Sequence, residues 1–148
     1  MAADRVRDHK GLSAAGRGVM VILDSNFLFV PLRFGVDIFE ELSRLLGGPH
    51  RCVVPRPVVD ELKLLRPEAK PSLKKEIDFA LKLTDRCEVL EEELGAGETV
   101  DDFLLRSAAD KGWLVATNDS DLRRRLRRVG VPVIYLRQRA YLEIDGLA

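Results

Sequence analysis

Short, unbroken apolar runs alternate along this chain with longer stretches in which apolar residues recur every three or four positions. Val19 to Leu23 contains no polar residue, and Cys52 to Val54, Cys87 to Leu90, Trp113 to Thr117 and Pro132 to Leu136 are similarly short. Such runs read as strands buried on both faces, as in a parallel sheet. The stretches between them read as helices: Val36 to Leu46, Pro57 to about Leu65, Pro71 to Asp85, Glu98 or Thr99 to Asp110, and Asp119 to Val129. Gly47-Gly48-Pro49, Gly112 and Gly130 stop three of them, and Pro57 suits a first helical turn. Residues 31 to 35 read as a loop. Strands alternating with helices at this spacing predict an α/β fold of three layers, α/β/α, around a central parallel sheet of about five strands.

The 148 residues suit one domain. Residues 1–18 carry charges and glycines without an apolar run, which predicts a flexible extension ahead of a domain over 19–148. Met20, directly before Val-Ile-Leu-Asp, is an alternative start site. No apolar run approaches the roughly 20 residues that cross a bilayer, so no membrane is expected. Cys52 and Cys87 lack metal-binding spacing and read as buried free thiols in a reducing cytoplasm. They could bridge only if their two strands are neighbours.

Six acids fall in four places that a parallel α/β fold would bring to one edge. Asp24 ends the first run, Glu61 lies early in a helix, Asp101 and Asp102 open another, and Asp119 and Asp121 follow Thr117. Ligands in such folds bind beyond the carboxyl ends of the strands. Carboxylates held together at low dielectric repel one another, so the cluster persists only where cations offset it. Taken singly, each acid also reads as a turn or helix-capping residue. All four places together do not.

Helix geometry narrows the choice. At about 100° per residue, Glu61 falls between Leu64 and Leu65, inside an apolar arc completed by Val58 and Leu62, and Asp60 falls outside it. Asp101 shares a face with Leu104, Leu105 and Ala108, whereas Asp102 lies nearer Arg106. Glu61 and Asp101 are therefore the inward candidates, with Asp102 flanking. The chain's only two asparagines, Asn26 and Asn118, adjoin these acids, where an amide can tie a loop or hold water and phosphate oxygens.

Net charge is zero but unevenly placed. Residues 88–102 hold seven acids and no base, and residues 122–142 hold seven arginines and no acid, among them Arg123, Arg124, Arg127 and Arg137. An acidic pocket beside an arginine-rich face suits a metal-dependent enzyme acting on a polyanion. By itself the arginine run is equally the solvated face of a surface helix. Oxygen ligands without His or Cys point to Mg2+ or Mn2+, which can activate water for in-line displacement at phosphorus. The inferred reaction is metal-assisted phosphodiester hydrolysis, with the arginines gripping the backbone of the polyanion. A haloacid-dehalogenase-type phosphatase would need a second Asp where Asn26 stands. A phosphoacceptor receiver would need one where Leu90-Glu91 stand.

Four segments, in this order, resemble the PIN-domain nucleases: Val-Ile-Leu-Asp24-Ser25-Asn26-Phe, Val-Pro-Arg-Pro-Val-Val-Asp-Glu61-Leu, Val-Asp101-Asp102-Phe-Leu-Leu, and Val-Ala-Thr117-Asn118-Asp119-Ser-Asp121-Leu. The stretch from Thr117 through the arginine run to Val131-Pro132-Val-Ile-Tyr is similar to archaeal PIN proteins and to the eukaryotic PIN nuclease of small-subunit rRNA maturation. The resemblance implies a three-layer domain with Mg2+- or Mn2+-dependent endoribonuclease activity. The family's catalytic acids fall on Asp24, Glu61, Asp101 and Asp119, and its metal site takes Asp24, Asp101, Asp119 and Asp121. Asn26, Asn118 and Asp102 then support the site, while Arg123, Arg124, Arg127 and Arg137 meet RNA. The implied partners are RNA, an antitoxin protein (as for VapC-type toxins) or pre-ribosomal RNA, and a second copy in a homodimer. The alternative is a non-catalytic RNA-binding or assembly module of the same fold.

Overall fold

In a computed structural model, which describes residues 18–146, the apolar runs become strands in the expected order. They are β1 (Val19–Leu23), β2 (His50–Pro55), β3 (Glu88–Leu90), β4 (Leu114–Ala116) and β5 (Val133–Arg137), joined by a sixth, β6 (Tyr141–Asp145). The sheet order is β3-β2-β1-β4-β5-β6. The first five strands are mutually parallel and β6 runs antiparallel to β5. Alternation along β1 serves both faces. Val21 and Leu23 join one core with Phe27, Leu42, Val58 and Ile77, while Met20 and Ile22 join the other with Phe103, Leu104, Leu122 and Leu126.

The helices therefore divide into two layers. α1 (Val30–Phe34), α2 (Ile38–Leu46), α3 (Arg56–Leu65) and α4 (Pro71–Leu83) cover the first core, and α5 (Val100–Lys111) and α6 (Ser120–Arg128) cover the second. This is the α/β/α sandwich expected from the alternation. Asp37 starts α2 by accepting from the amides of Phe39 and Glu40. Thr99 starts α5 in a reciprocal capping box with Asp102, which satisfies two otherwise unpaired amides.

Three expectations change. The loop placed at 31–35 is helical: a 3-10 turn (Ser25–Phe29) leads directly into α1, with Phe27, Leu28 and Val30 buried. The sixth strand was hidden by its turn. Arg137 and Ala140 close that turn with a 3.1 Å backbone bond, and its central residues, Gln138 and Arg139, hold φ of 54° and 57°. Asn-Gly is the usual signal for such a turn. Two side-chain-bearing residues in the left-handed region cost about 1–2 kcal/mol each, so nothing local announces a hairpin here.

The third change concerns α3. Its buried stripe is Val58, Val59 and Leu62, whereas Leu64 is 79% and Leu65 is 53% exposed. Glu61 consequently sits at the border of the buried face, not between two buried leucines. Leu64→Gln should accordingly shift stability by less than about 0.5 kcal/mol in denaturant titration, as at an ordinary surface position.

β2, which carries Cys52, pairs with β3, which Cys87 directly precedes. Both thiols are free, Cys52 buried and Cys87 only half-buried, with Cys87 Sγ 3.7 Å from the Leu83 carbonyl oxygen. The extension expected over residues 1–18 lies, apart from Gly18, outside the described residues. Among the described residues no helix is long and apolar enough to cross a membrane.

Candidate active site

Parallel strands end at a common edge, and the acids collect there. Asp24 follows the last residue of β1, its amide continuing the ladder to the Ala116 carbonyl at 3.0 Å. Its side chain is only 4% exposed. Oδ1 accepts from the Ser25 amide at 2.8 Å, while Oδ2 accepts from the Thr117 hydroxyl at 2.7 Å and from Asn26 Nδ2 at 3.2 Å. Burial pushes the Asp24 carboxyl up to about 6. The bonds from Thr117 and Ser25 pull against that rise, and the charges of Asp101 and Glu61 add to it. Low dielectric and neighbouring carboxylates act in the same direction here.

Thr117, which ends the β4 run, is wholly buried and is the hub of the site. Its hydroxyl donates to Asp24 and accepts from Asn26 Nδ2 at 3.3 Å and from the Asp119 amide at 3.1 Å. One proton and two lone pairs are thereby all used. The two asparagines extend the network. Asn26 Oδ1 accepts from the Asn118 amide at 3.0 Å, and Asn118 Oδ1 accepts from the Leu136 amide at 2.9 Å. They brace the ends of β1, β4 and β5 against one another. Each asparagine thus ties a backbone segment beside the acids.

Asp119 caps α6, with Oδ1 accepting from the amides of Asp121 and Leu122. That pattern leaves Oδ2 without a partner among the described residues. Asp101 occupies the first turn of α5, and its carboxyl is raised by burial and by the charges of Asp119 and Asp102, against the pull of Arg125. Asp102 is turned aside as the helix face predicted: it completes the capping box and binds Arg125 at 2.8 Å, which holds it below the usual carboxylate range. Glu61 enters from α3 and is felt electrostatically at Asp24. Asp121 is exposed and paired with Arg124.

Four elements thus deliver Asp24, Glu61, Asp101 and Asp119 to one edge. Among the described residues, no three His, Cys, Asp or Glu side chains stand close enough together to grip an ion by themselves. The donors nevertheless fit a hard divalent cation. They are all oxygens, Asp24 and Asp101 are raised first by burial and then by neighbouring carboxylates, and Mg2+ characteristically keeps several waters between few carboxylates. Among the described residues no base neutralises Asp24.

The arginines are less free than the sequence implied. Arg123 binds Asp145 at 2.9 Å and lies 3.7 Å from the centre of the Tyr135 ring, Arg127 also reaches Asp145, and Arg137 binds Glu143 at 3.0 Å. Surface pairs of this kind are worth about 0–1 kcal/mol, so phosphates can compete for these guanidinium groups.

Thr117, which received no role from the sequence, is the hydrogen-bonding centre of this cluster. Its position between an apolar run and Asn118-Asp119 was the available signal.

A family model described as a PIN like domain matches residues 21–139. Ribonuclease VapC9 of Archaeoglobus fulgidus is 30% identical, over 97% of this chain and 98% of its own. The rRNA-processing protein FCF1 of Saccharomyces cerevisiae is 28% identical over 82% of this chain, which spans 62% of that protein. The solved structure of the PIN domain endonuclease Utp24 superposes with a TM-score of 0.71 at 27% identity, covering 87% of this chain and 92% of the other. With four fifths of its length inside the family model, the chain belongs to the PIN-like domain family.

Proposed function

We propose that this protein is a divalent-metal-dependent endoribonuclease that hydrolyses RNA phosphodiester bonds. The observation that carries the reading is Asp24: a buried carboxyl, raised by that burial to about 6, that also feels Asp101 and Glu61 and has no cationic partner among the described residues. A structural carboxylate would be paired, and this one is held by neutral donors. Asp24, Asp101 and Asp119 would hold the cation, with Glu61 and Asp121 at the margin. A bound Mg2+ or Mn2+ would supply an activated water and steady the charge developing on the phosphate.

The chain's own residues set the stage for that chemistry. Ser25, Asn26 and Thr117 fix the Asp24 carboxylate, and Asp119 keeps one oxygen unspent while its other caps α6. Arg123, Arg124, Arg127 and Arg137 lie on the side of β5 and α6 and would take up backbone phosphates there. The names of VapC9, FCF1 and Utp24 support ribonuclease chemistry in common. The toxin and rRNA-processing readings differ in RNA target and in partner (an antitoxin protein or pre-ribosomal RNA), not in the site.

End-labelled RNA carrying both paired and single-stranded regions, incubated with the full-length protein, should be cut internally with Mn2+ or Mg2+ and remain intact with EDTA. The non-catalytic alternative wins if intact RNA persists under all metal conditions while still binding, or if Asp24→Asn cuts as fast as the unmodified protein.

A further inference from the structure

The chain has two cysteines, far apart in sequence, and the sheet sets them side by side. β2 and β3 pair in parallel with Val53 opposite Glu88. Cys52 and Cys87 each stand one residue before that pair, and the Cys87 backbone is already extended, with φ −122° and ψ 165°. They occupy the next rung of the ladder. Neighbouring strands lie about 4.7–4.9 Å apart, and a disulfide spans Cα atoms about 4.4–6.8 Å apart. Faces alternate along each strand, so two residues on one rung of a parallel pair point the same way. Both cysteines accordingly pack into the first core.

The two thiols differ in access and in acidity. Cys52 is 7% exposed, whereas Cys87 is half-buried at the start of a three-residue strand on the sheet's edge. The adjacent Cys52, and then the charge of Arg86, hold the Cys87 thiol below its ordinary value, against burial and the charge of Glu88. Arg86 is itself kept in place over the Phe39 ring, 4.0 Å from its centre. Cys87 beside it, and then burial, push the Cys52 thiol up. The reactive thiolate is thus favoured on the residue that an oxidant can reach, with a second thiol across the rung. One cysteine is placed to react and the other to resolve.

We propose that Cys52 and Cys87 are a site of oxidative modification, which hydrogen peroxide closes into an intramolecular disulfide that staples the edge strand β3 to β2. The Cys87 sulfur attacks one peroxide oxygen, the O–O bond breaks, and a sulfenic acid forms as hydroxide leaves and is protonated to water. The Cys52 sulfur then attacks the sulfenic sulfur. The S–S bond forms, hydroxide leaves, and the Cys52 proton converts it to a second water. Two thiols lose two electrons and two protons, and one peroxide becomes two waters. β3 has one neighbour and three residues, so it has few ladder bonds to hold it, and the chain beyond it leads to α5 with Asp101. Closing a loop of roughly 35 residues constrains the unfolded chain and favours the folded one. Cys52 lies in the middle of β2 and Cys87 ahead of β3, away from the carboxyl ends where the acids collect, so the staple leaves the acids in place. The bridge is independent of the nuclease reading.

The test uses the full-length protein, reduced, freed of reductant and then treated with hydrogen peroxide in EDTA. Its two free thiols should be lost, its intact mass should fall by two hydrogens, and a peptide map should join the segments holding Cys52 and Cys87. The melting temperature should rise by about 5–15 °C, the scale of a native disulfide in a domain of this size, and return on reduction. Cys87→Ser, at a half-buried position, should fold and show no rise with peroxide. Cys52→Ala should stop at the sulfenic acid on Cys87, which a 1,3-diketone probe traps. If Cys52→Ala does not fold, the peptide map and Cys87→Ser still decide the matter. The proposal is overturned if the thiols stay unreacted or if Cys87 gains oxygen without a bridge in the unmodified protein. It is equally overturned if separate chains become cross-linked instead, or if the bridged protein melts no higher than the reduced one. None of these readouts uses RNA, so an inactive protein that forms the staple counts against the nuclease reading alone.

Discussion

Asp24→Asn should abolish RNA cleavage and, at neutral pH without metal, make the protein more stable. The first effect follows from removing a charge that the cation would need, and should exceed the roughly 10–100-fold loss typical for partners of metal ligands. The second follows from burial. A carboxyl raised from 3.8 to about 6 binds its proton more tightly in the folded state. Stability therefore falls as pH rises from about 4 to above 6 and recovers on acidification. The ionised form is penalised by about 3 kcal/mol at 1.36 kcal/mol per pKa unit. Asparagine removes that penalty but sets an amide against the Thr117 hydroxyl and Asn26 Nδ2, so a net gain of about 1–2 kcal/mol is expected. For a chain of this size that raises the melting temperature by roughly 2–8 °C. Calorimetry at pH 7.5 and pH 5 checks both parts. Mn2+ should raise the melting temperature of the unmodified protein at pH 7.5, less at pH 5 where protons compete, and not in the variant. A variant that melts lower in EDTA at pH 7.5 would contradict the account of Asp24 as an uncompensated buried charge.

Thr117→Val should cost about 2–4 kcal/mol, although the shapes are nearly equal and the site stays buried. The hydroxyl it removes serves Asp24, Asn26 and the Asp119 amide together, and each is left short of a partner. Activity at pH 7 should drop by about 10–100-fold, as for other groups that orient a metal ligand. The direction of the pH effect separates positioning from mere destabilisation. Thr117 holds the Asp24 carboxyl down, so its removal raises that carboxyl further and moves the acid limb of the cleavage profile to higher pH. Thr117→Ser, which keeps the hydroxyl, should restore both the limb and most of the rate. An acid limb unmoved in Thr117→Val would reduce Thr117 to a packing residue.

Much of this site could be read before any coordinates. Asp24 stands directly beyond one apolar run and Asp119 two residues beyond another, and runs of that kind end at one edge in a parallel sheet. Asp101 was set apart from Asp102 because an α-helix fixes which of two adjacent residues faces inward, and in the structure Asp102 is taken up by the capping box and Arg125. Glu61 was singled out by an argument that half failed. The arc was drawn through Leu64 and Leu65 as if apolar meant buried, and both are exposed because the stripe against the sheet is Val58, Val59 and Leu62.

What escaped has common causes. β6 was missed because Gln138-Arg139 carries none of the usual turn chemistry, and only pairing with β5 compensates the strained φ values. Thr117 was passed over because a hydroxyl at the end of a strand is ordinary until its three partners, from three chain segments, are in place. The arginine run was read as a free cationic face. Its ion pairs to Asp102, Asp121, Asp145 and Glu143 join residues that sequence spacing gives no reason to pair, apart from Asp121 with Arg124.

By itself the sequence determined the layer architecture, the edge where chemistry belongs and the acids that meet there. Hydrophobic period and chain direction are local properties, and together they fix where strands and helices must end. Only the tertiary structure decided the protonation tendency of Asp24 and the hub role of Thr117. Burial, hydrogen-bond saturation and charge coupling depend on distances between segments far apart in the chain, and no spacing along the chain encodes those distances.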